Sequence, residues 1–190
     1  MSRLQSLCEQ LQLTHKSGGD AAAVSLELLH ALEHVVRTAS EVDLKGGQAK
    51  LEEVLTGALL LGPAAPCRRL IASTFCLLYA RGTRTTLYTT MGLLLSLMGN
   101  KAMPNSSTAI LDRAAVLQVL GALCAAHGLA MVSLCADAFT LLIKTARAPE
   151  QQLRVHALEA AAVAVSGSGG VSAILQAEAV SYTHLTLPTN

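Results

Sequence analysis

Helix-breaking residues punctuate this chain at a nearly regular interval, and that spacing limits its possible folds more than any single motif does. Gly18-Gly19, Gly62-Pro63, Pro104 and Pro149 separate segments whose apolar residues recur at spacings of three and four. Helix pairs are expected to begin near residues 24, 64, 108 and 150, a period of roughly 40 to 44 against about 40 to 47 for HEAT and armadillo units. No motif is shared between units, so the repeat rests on the placement of helices and breakers. The expected fold is all-α, an α-solenoid of antiparallel HEAT/armadillo-like helix pairs over residues 1–180. Hydrophobic residues make up 52% of the chain, yet aromatics only 3% and Trp none. A core of Leu, Ala and Val suits helices better than strands, which favour β-branched and aromatic residues in alternation.

The best-defined helix lies between Gly62 and Gly82. Pro63 and Pro66 suit its entry, where a missing N–H costs nothing, and Gly82 is expected at a left-handed C′ position. Cys67, Leu70, Ile71, Thr74, Phe75 and Leu78 form its inward stripe; Arg68, Arg69, Ser73 and Arg81 point elsewhere. Before it, helices are expected at 2–13, 21–39 (capped by Asp20) and 48–61, with Ser40 to Gly47 as a break. After it they are expected at 85–98, 108–126 (capped by Ser106 or Ser107), 129–147, and from Pro149 to about Val165, where Leu153, Ala157, Leu158, Ala161 and Val165 face the core. The helix at 108–126 is apolar nearly all round, so it should be sandwiched between neighbours. Gly121 at its middle costs roughly 1 kcal/mol relative to Ala, which close approach of a second helix would explain.

Several function classes are disfavoured. The net charge is +1 without any basic block, which does not suit nucleic acid. The five cysteines, Cys8, Cys67, Cys76, Cys124 and Cys135, include no C-x-x-C pair and read as buried free thiols in a reducing compartment. Glu9 and Gln10 fall where a signal peptide would need an apolar run. Ala114 to Ala136 is long enough to cross a bilayer, but Gln118 and His127 interrupt it and His127-Gly128 reads as a corner between helices, so no transmembrane segment is expected. Ser181 to Asn190, SYTHLTLPTN, loses the alanine-rich pattern and carries Pro188; it reads as a non-native tail.

His30-Ala31-Leu32-Glu33-His34 is a literal H-x-x-E-H, but it lies on a polar face with Glu27 and Arg37 and reads as two solvated histidines. The glycine pairs lack the Lys-Ser/Thr of a phosphate loop and read as linkers. Asp112, Asp137, Glu150 and Glu159 sit on separate helices, so no catalytic dyad, metal site or cofactor site is expected. The basic cluster is Arg68, Arg69, Arg81 and Arg84, which are the candidate partner-binding residues; Glu52, Glu53 and Asp43 are candidate internal partners for them, and an acidic external ligand is the alternative.

Lys50, Leu51, Leu55, Thr56 and Gly57, then Gly62-Pro63, then Arg68, Leu70, Ile71 and Ala72, and Leu78-Tyr79 before a glycine make up a pattern from Lys50 to Gly82. In it the chain resembles the N-terminal region of the HEAT repeat-containing protein 5 family. The similarity continues more weakly to about Gly170. The resemblance implies a fragment of a large, non-enzymatic cytoplasmic scaffold, peripheral to endosome and trans-Golgi membranes, whose partners are the adaptor-protein-1 clathrin complex and the rest of its own solenoid. A generic armadillo/HEAT interaction module of another class, such as nuclear transport, is the alternative. No family binding residue maps to a numbered position here.

Overall fold

The computed structural model describes residues 3–16, 25–99 and 107–167, and among these every regular element is helical. In chain order the α-helices are α1 (Arg3–Lys16), α2 (Leu26–Thr38), α3 (Glu41–Leu59), α4 (Ala65–Arg81), α5 (Leu87–Gly99), α6 (Ser107–His127), α7 (Val132–Thr145) and α8 (Gln151–Ser166), with 3-10 turns at Arg84–Thr86 and Gly128–Ala130. The expected Asp20 cap, the Ser106 alternative, the break after Gly167 and the tail lie outside the described residues.

Helices α2, α4, α6 and α8 pack on one another in that order, and they begin at Leu26, Ala65, Ser107 and Gln151. Each is contacted by the odd-numbered helix before it: α1 on α2, α3 on α4, α5 on α6, α7 on α8. The core runs through both sets and is aliphatic with some Cys and Met; its fully buried rings among the described residues are Phe75 and Tyr79. Phe75 and Tyr79 are stacked at 6.3 Å between ring centroids, and the Tyr79 hydroxyl donates to Thr90 Oγ1 at 2.7 Å, so its buried oxygen is satisfied.

Several boundaries differ from the sequence expectation. Helix α2 starts at Leu26 because the Ser25 hydroxyl accepts from the Leu28 N–H at 3.3 Å. Gly46 and Gly47 are not a linker. Ser40 caps α3 by accepting from the Asp43 N–H at 3.2 Å, and the helix then runs through both glycines. Gly47 is buried against Leu4 of α1, whose Cδ2 would stand 2.4 Å from an added Cβ, whereas nothing lies within 4 Å of one at Gly46. Gly46→Ala is therefore expected to stabilise the protein by about 0.5 to 1 kcal/mol, read as a higher denaturation midpoint, because it gains helix propensity at no steric cost.

Among the described residues the left-handed glycine is Gly62, with φ 61, at the exit of α3. Gly82 instead is extended, at φ −90 and ψ −151. Its need for glycine is space: a Cβ would stand 2.5 Å from Gln48 Oε1. That amide holds the corner after α4, accepting from the Thr83 N–H at 2.7 Å and donating to the Thr83 carbonyl at 2.7 Å.

Helix α6 packs against α4, α5, α7 and α8, which accounts for its being apolar nearly all round. It is long and apolar enough to cross a bilayer by length and composition, and most of that stretch is buried against the neighbouring helices. At Gly121 the backbone of α8 comes so near that a Cβ would lie 2.5 Å from the Ala160 carbonyl oxygen. This contact sets which face of α8 turns inward. Ala157, Ala160, Ala161 and Ala164 are buried with Leu153, whereas Leu158 and Val165, expected inside, are exposed. On α7, Ala138 is buried and Ile143 is exposed.

His127 ends α6 and is buried, its Nε2–H donating to the Cys76 carbonyl at 3.0 Å and its ring edge-on to Tyr79. Burial holds this imidazole below its ordinary value of 6.5, the Cys76 carbonyl opposes that, and Arg84 adds to it. The folded protein thus takes up its proton at lower pH than the unfolded chain does. The stability from neutral His127 is complete above pH 6.5 and is lost as pH falls below it toward the folded-state value. Thermal unfolding followed from about pH 7.5 to about 5 should fall more steeply for the wild type than for His127→Gln, whose amide keeps a donor but does not titrate. Equal slopes would show that other groups control this range.

Candidate functional site

Alanine on three successive even helices leaves a groove on that side of the molecule, of about 430 Å3. Its floor is one stripe of α6, Ala114, Gln118 and Ala122, spaced by four so that all three share a face. One wall is α4, where Ala65, Ala72, Ser73 and Cys76 alternate with Arg68 and Arg69; the other is α8, with His156, Glu159, Ala160 and Val163. Larger residues along the α6 stripe would fill this space with the protein's own side chains. The volume falls in the usual range for binding clefts, roughly 300 to 1,000 Å3.

The polar groups of the groove are unevenly satisfied. Ser73 Oγ donates to Glu33 Oε1 of α2 at 2.6 Å, and Glu33 also receives Arg37 at 3.3 Å. His156 Nδ1 and Glu159 Oε2 are 3.2 Å apart at the exposed rim. Arg68, expected to point outward, is instead only 7% exposed. Its Nη1 donates to the Pro63 carbonyl at 3.1 Å, while its buried Nε has no partner. Burial lowers the Arg68 pKa, Glu159 across the groove opposes that, and the adjacent Arg69 reinforces it. The half-buried Cys76 thiol is pushed up to about 11 by burial, so it stays protonated at neutral pH and is a poor nucleophile.

The four candidate partner-binding arginines do not act together. Arg68 and Arg69 line the groove at the start of α4; Arg81 lies about 20 Å further along that helix by its rise per residue. Arg81 is committed to the C-terminus of α2, donating to the Val36 carbonyl and, at 2.8 Å, to the Ala39 carbonyl. Arg84 Nε points back at the Tyr79 carbonyl at 3.4 Å. Among the described residues none of the four reaches ion-pair distance of Glu52, Glu53 or Asp43. Those carboxylates are taken elsewhere: Glu52 by Gln48 and Thr86, Glu53 by Lys50 and Gln12, and Asp43 by Ser40.

His30 and His34 lie exposed on the polar face of α2, and among the described residues no three His, Cys, Asp or Glu side chains converge as metal ligands would. None of the five cysteines forms a disulfide, and Cys8, Cys67, Cys124 and Cys135 are buried. The Cys124 thiol is raised by its hydrogen bond to Cys135 and by burial. Sequence reasoning missed Gln118, His156 and Glu159 as site residues; the one available signal was the four-residue spacing of small and polar residues on an otherwise aliphatic α6. No protein-family profile matches the chain. No solved structure matches it at a significant level.

Proposed function

We propose that this chain is part of a non-enzymatic α-solenoid scaffold of the HEAT/armadillo kind, and that it docks a partner protein in the groove across α4, α6 and α8. The observation that carries this reading is the groove itself. It is a concave surface on the layer of successive even-numbered helices, floored by alanine, with a few polar groups on its walls and no activated nucleophile. Consecutive packing of α2, α4, α6 and α8 supports the solenoid reading, since repeat proteins stack each unit only on its neighbours and use the resulting extended surface for binding.

The resemblance of Lys50 to Gly82 to the HEAT repeat-containing protein 5 family supports a particular setting. In it, the chain is a cytoplasmic scaffold at endosome and trans-Golgi membranes that helps localise the adaptor-protein-1 clathrin complex. The test is affinity capture from cytosol with the full chain and with Ala122→Leu, which fills the floor of the groove. Adaptor subunits should be enriched on the wild type and lost on the variant. Enrichment of nuclear-transport cargo in their place would move the protein to the alternative class, and equal capture by both forms would place docking away from the groove.

A further inference from the structure

The α4 wall of the groove concentrates positive charge where a helix tolerates it least. Arg68 and Arg69 sit at the positive end of the helix dipole, and α4 has neither an acidic residue in its first turn nor a side-chain cap to offset them. Arg68 is more than nine-tenths buried, makes one hydrogen bond to a backbone carbonyl and leaves its Nε without a partner, although a guanidinium offers five donors in a fork. The groove-lining residues three before and four after it on α4 are Ala65 and Ala72, whose side chains offer no acceptor. An unsatisfied buried donor on a cationic side chain is costly, and an incoming carboxylate removes that cost through short, charge-assisted hydrogen bonds.

We propose that the groove binds a peptide segment of a partner protein through one Asp or Glu side chain seated on Arg68 and Arg69, with flanking apolar side chains over Ala114 and Ala122. This rests on the docking reading above and specifies its chemistry. Glu159 faces the arginines from α8, so Arg68, Arg69 and Glu159 together carry one net positive charge, which suits a single carboxylate better than a dianionic phosphate. The walls formed by α4 and α8 stand either side of the α6 floor, a shape that admits a chain segment and not the flat surface of a bilayer.

The experiment is a fluorescence-anisotropy titration of the full chain with leucine-flanked heptapeptides carrying Glu, Gln, Lys or phosphoserine at the centre, alongside phosphatidylserine vesicles. The Glu peptide should bind at least tenfold more tightly than the Gln peptide, the size of one charge-assisted contact. Arg69→Gln should bring Glu down to the level of Gln. Glu159→Gln should tighten the Glu peptide and improve phosphoserine, a gain of binding that a purely structural role would not produce. Both positions are exposed, so folding is not at stake. Equal binding of Glu and Gln peptides, both blocked by Ala122→Leu, would overturn acidic recognition and leave the docking groove standing. Failure of every peptide would overturn both readings. Vesicle binding lost in Arg69→Gln, without peptide binding, would replace the peptide by a lipid surface.

Discussion

Gly121→Leu is expected to destabilise the protein by more than about 3 kcal/mol, beyond the usual cost of overpacking, because the obstructing atoms are backbone. A Cβ at this position would meet the Ala160 carbonyl oxygen at 2.5 Å, its Cα at 3.0 Å and its carbonyl carbon at 3.1 Å. A side chain can rotate out of the way; an α8 peptide group cannot, so the helices must separate and the alanine contacts beside them open. Even Gly121→Ala should destabilise, despite a helix-propensity gain of about 1 kcal/mol. Its sign would then be opposite to that of Gly46→Ala on α3, where an added Cβ meets open space. Chemical denaturation of the three variants reads this directly, and a Gly121→Ala protein as stable as Gly46→Ala would mean that α6 and α8 lie further apart.

Phe75→Ala is expected to cost about 3 to 5 kcal/mol, the range for emptying an aromatic site in a packed core. Phe75 is fully buried and stacks on Tyr79, so its removal leaves a cavity beside the second large ring of an otherwise aliphatic core. Few domains have stability to spare on that scale, since the whole margin is about 5 to 15 kcal/mol. Ser73, two residues away on the groove side, gives the comparison. Its hydroxyl donates to Glu33 at 2.6 Å, so Ser73→Ala should cost about 1 kcal/mol. Equal denaturation midpoints for the Phe75 and Ser73 variants would mean that α4 is rotated from the orientation described.

Periodicity made the helices legible, and where a helix is packed by several neighbours its sequence said so: α6 is apolar nearly all round and carries a glycine at its close approach to α8. What could not be read was decided by neighbours distant in sequence. Gly46-Gly47 reads locally as a break, but the Ser40 cap starts the helix earlier and Leu4 of α1 occupies the space beside Gly47. Leu158 and Val165 read as core on hydrophobicity alone, but the Gly121 contact turns the alanine face of α8 inward. Arg68 reads as a surface charge, yet it is buried in a groove whose walls come from helices some ninety residues apart in the chain. That groove consists of what is missing, large side chains on α6, and a run of alanines states this only once the facing helices are known.

Photo-cross-linking from the groove tests most directly whether it is the docking surface. A benzophenone amino acid at position 118, on the α6 floor, is compared with the same group at exposed position 45 on α3, each in the full chain incubated with cytosol and irradiated. The expected result is a discrete adduct from position 118 containing a clathrin-adaptor component, diminished by excess Glu-centred peptide and missing from position 45. An adduct of equal yield at position 45, or one at 118 that the peptide does not compete away, would contradict docking in this groove.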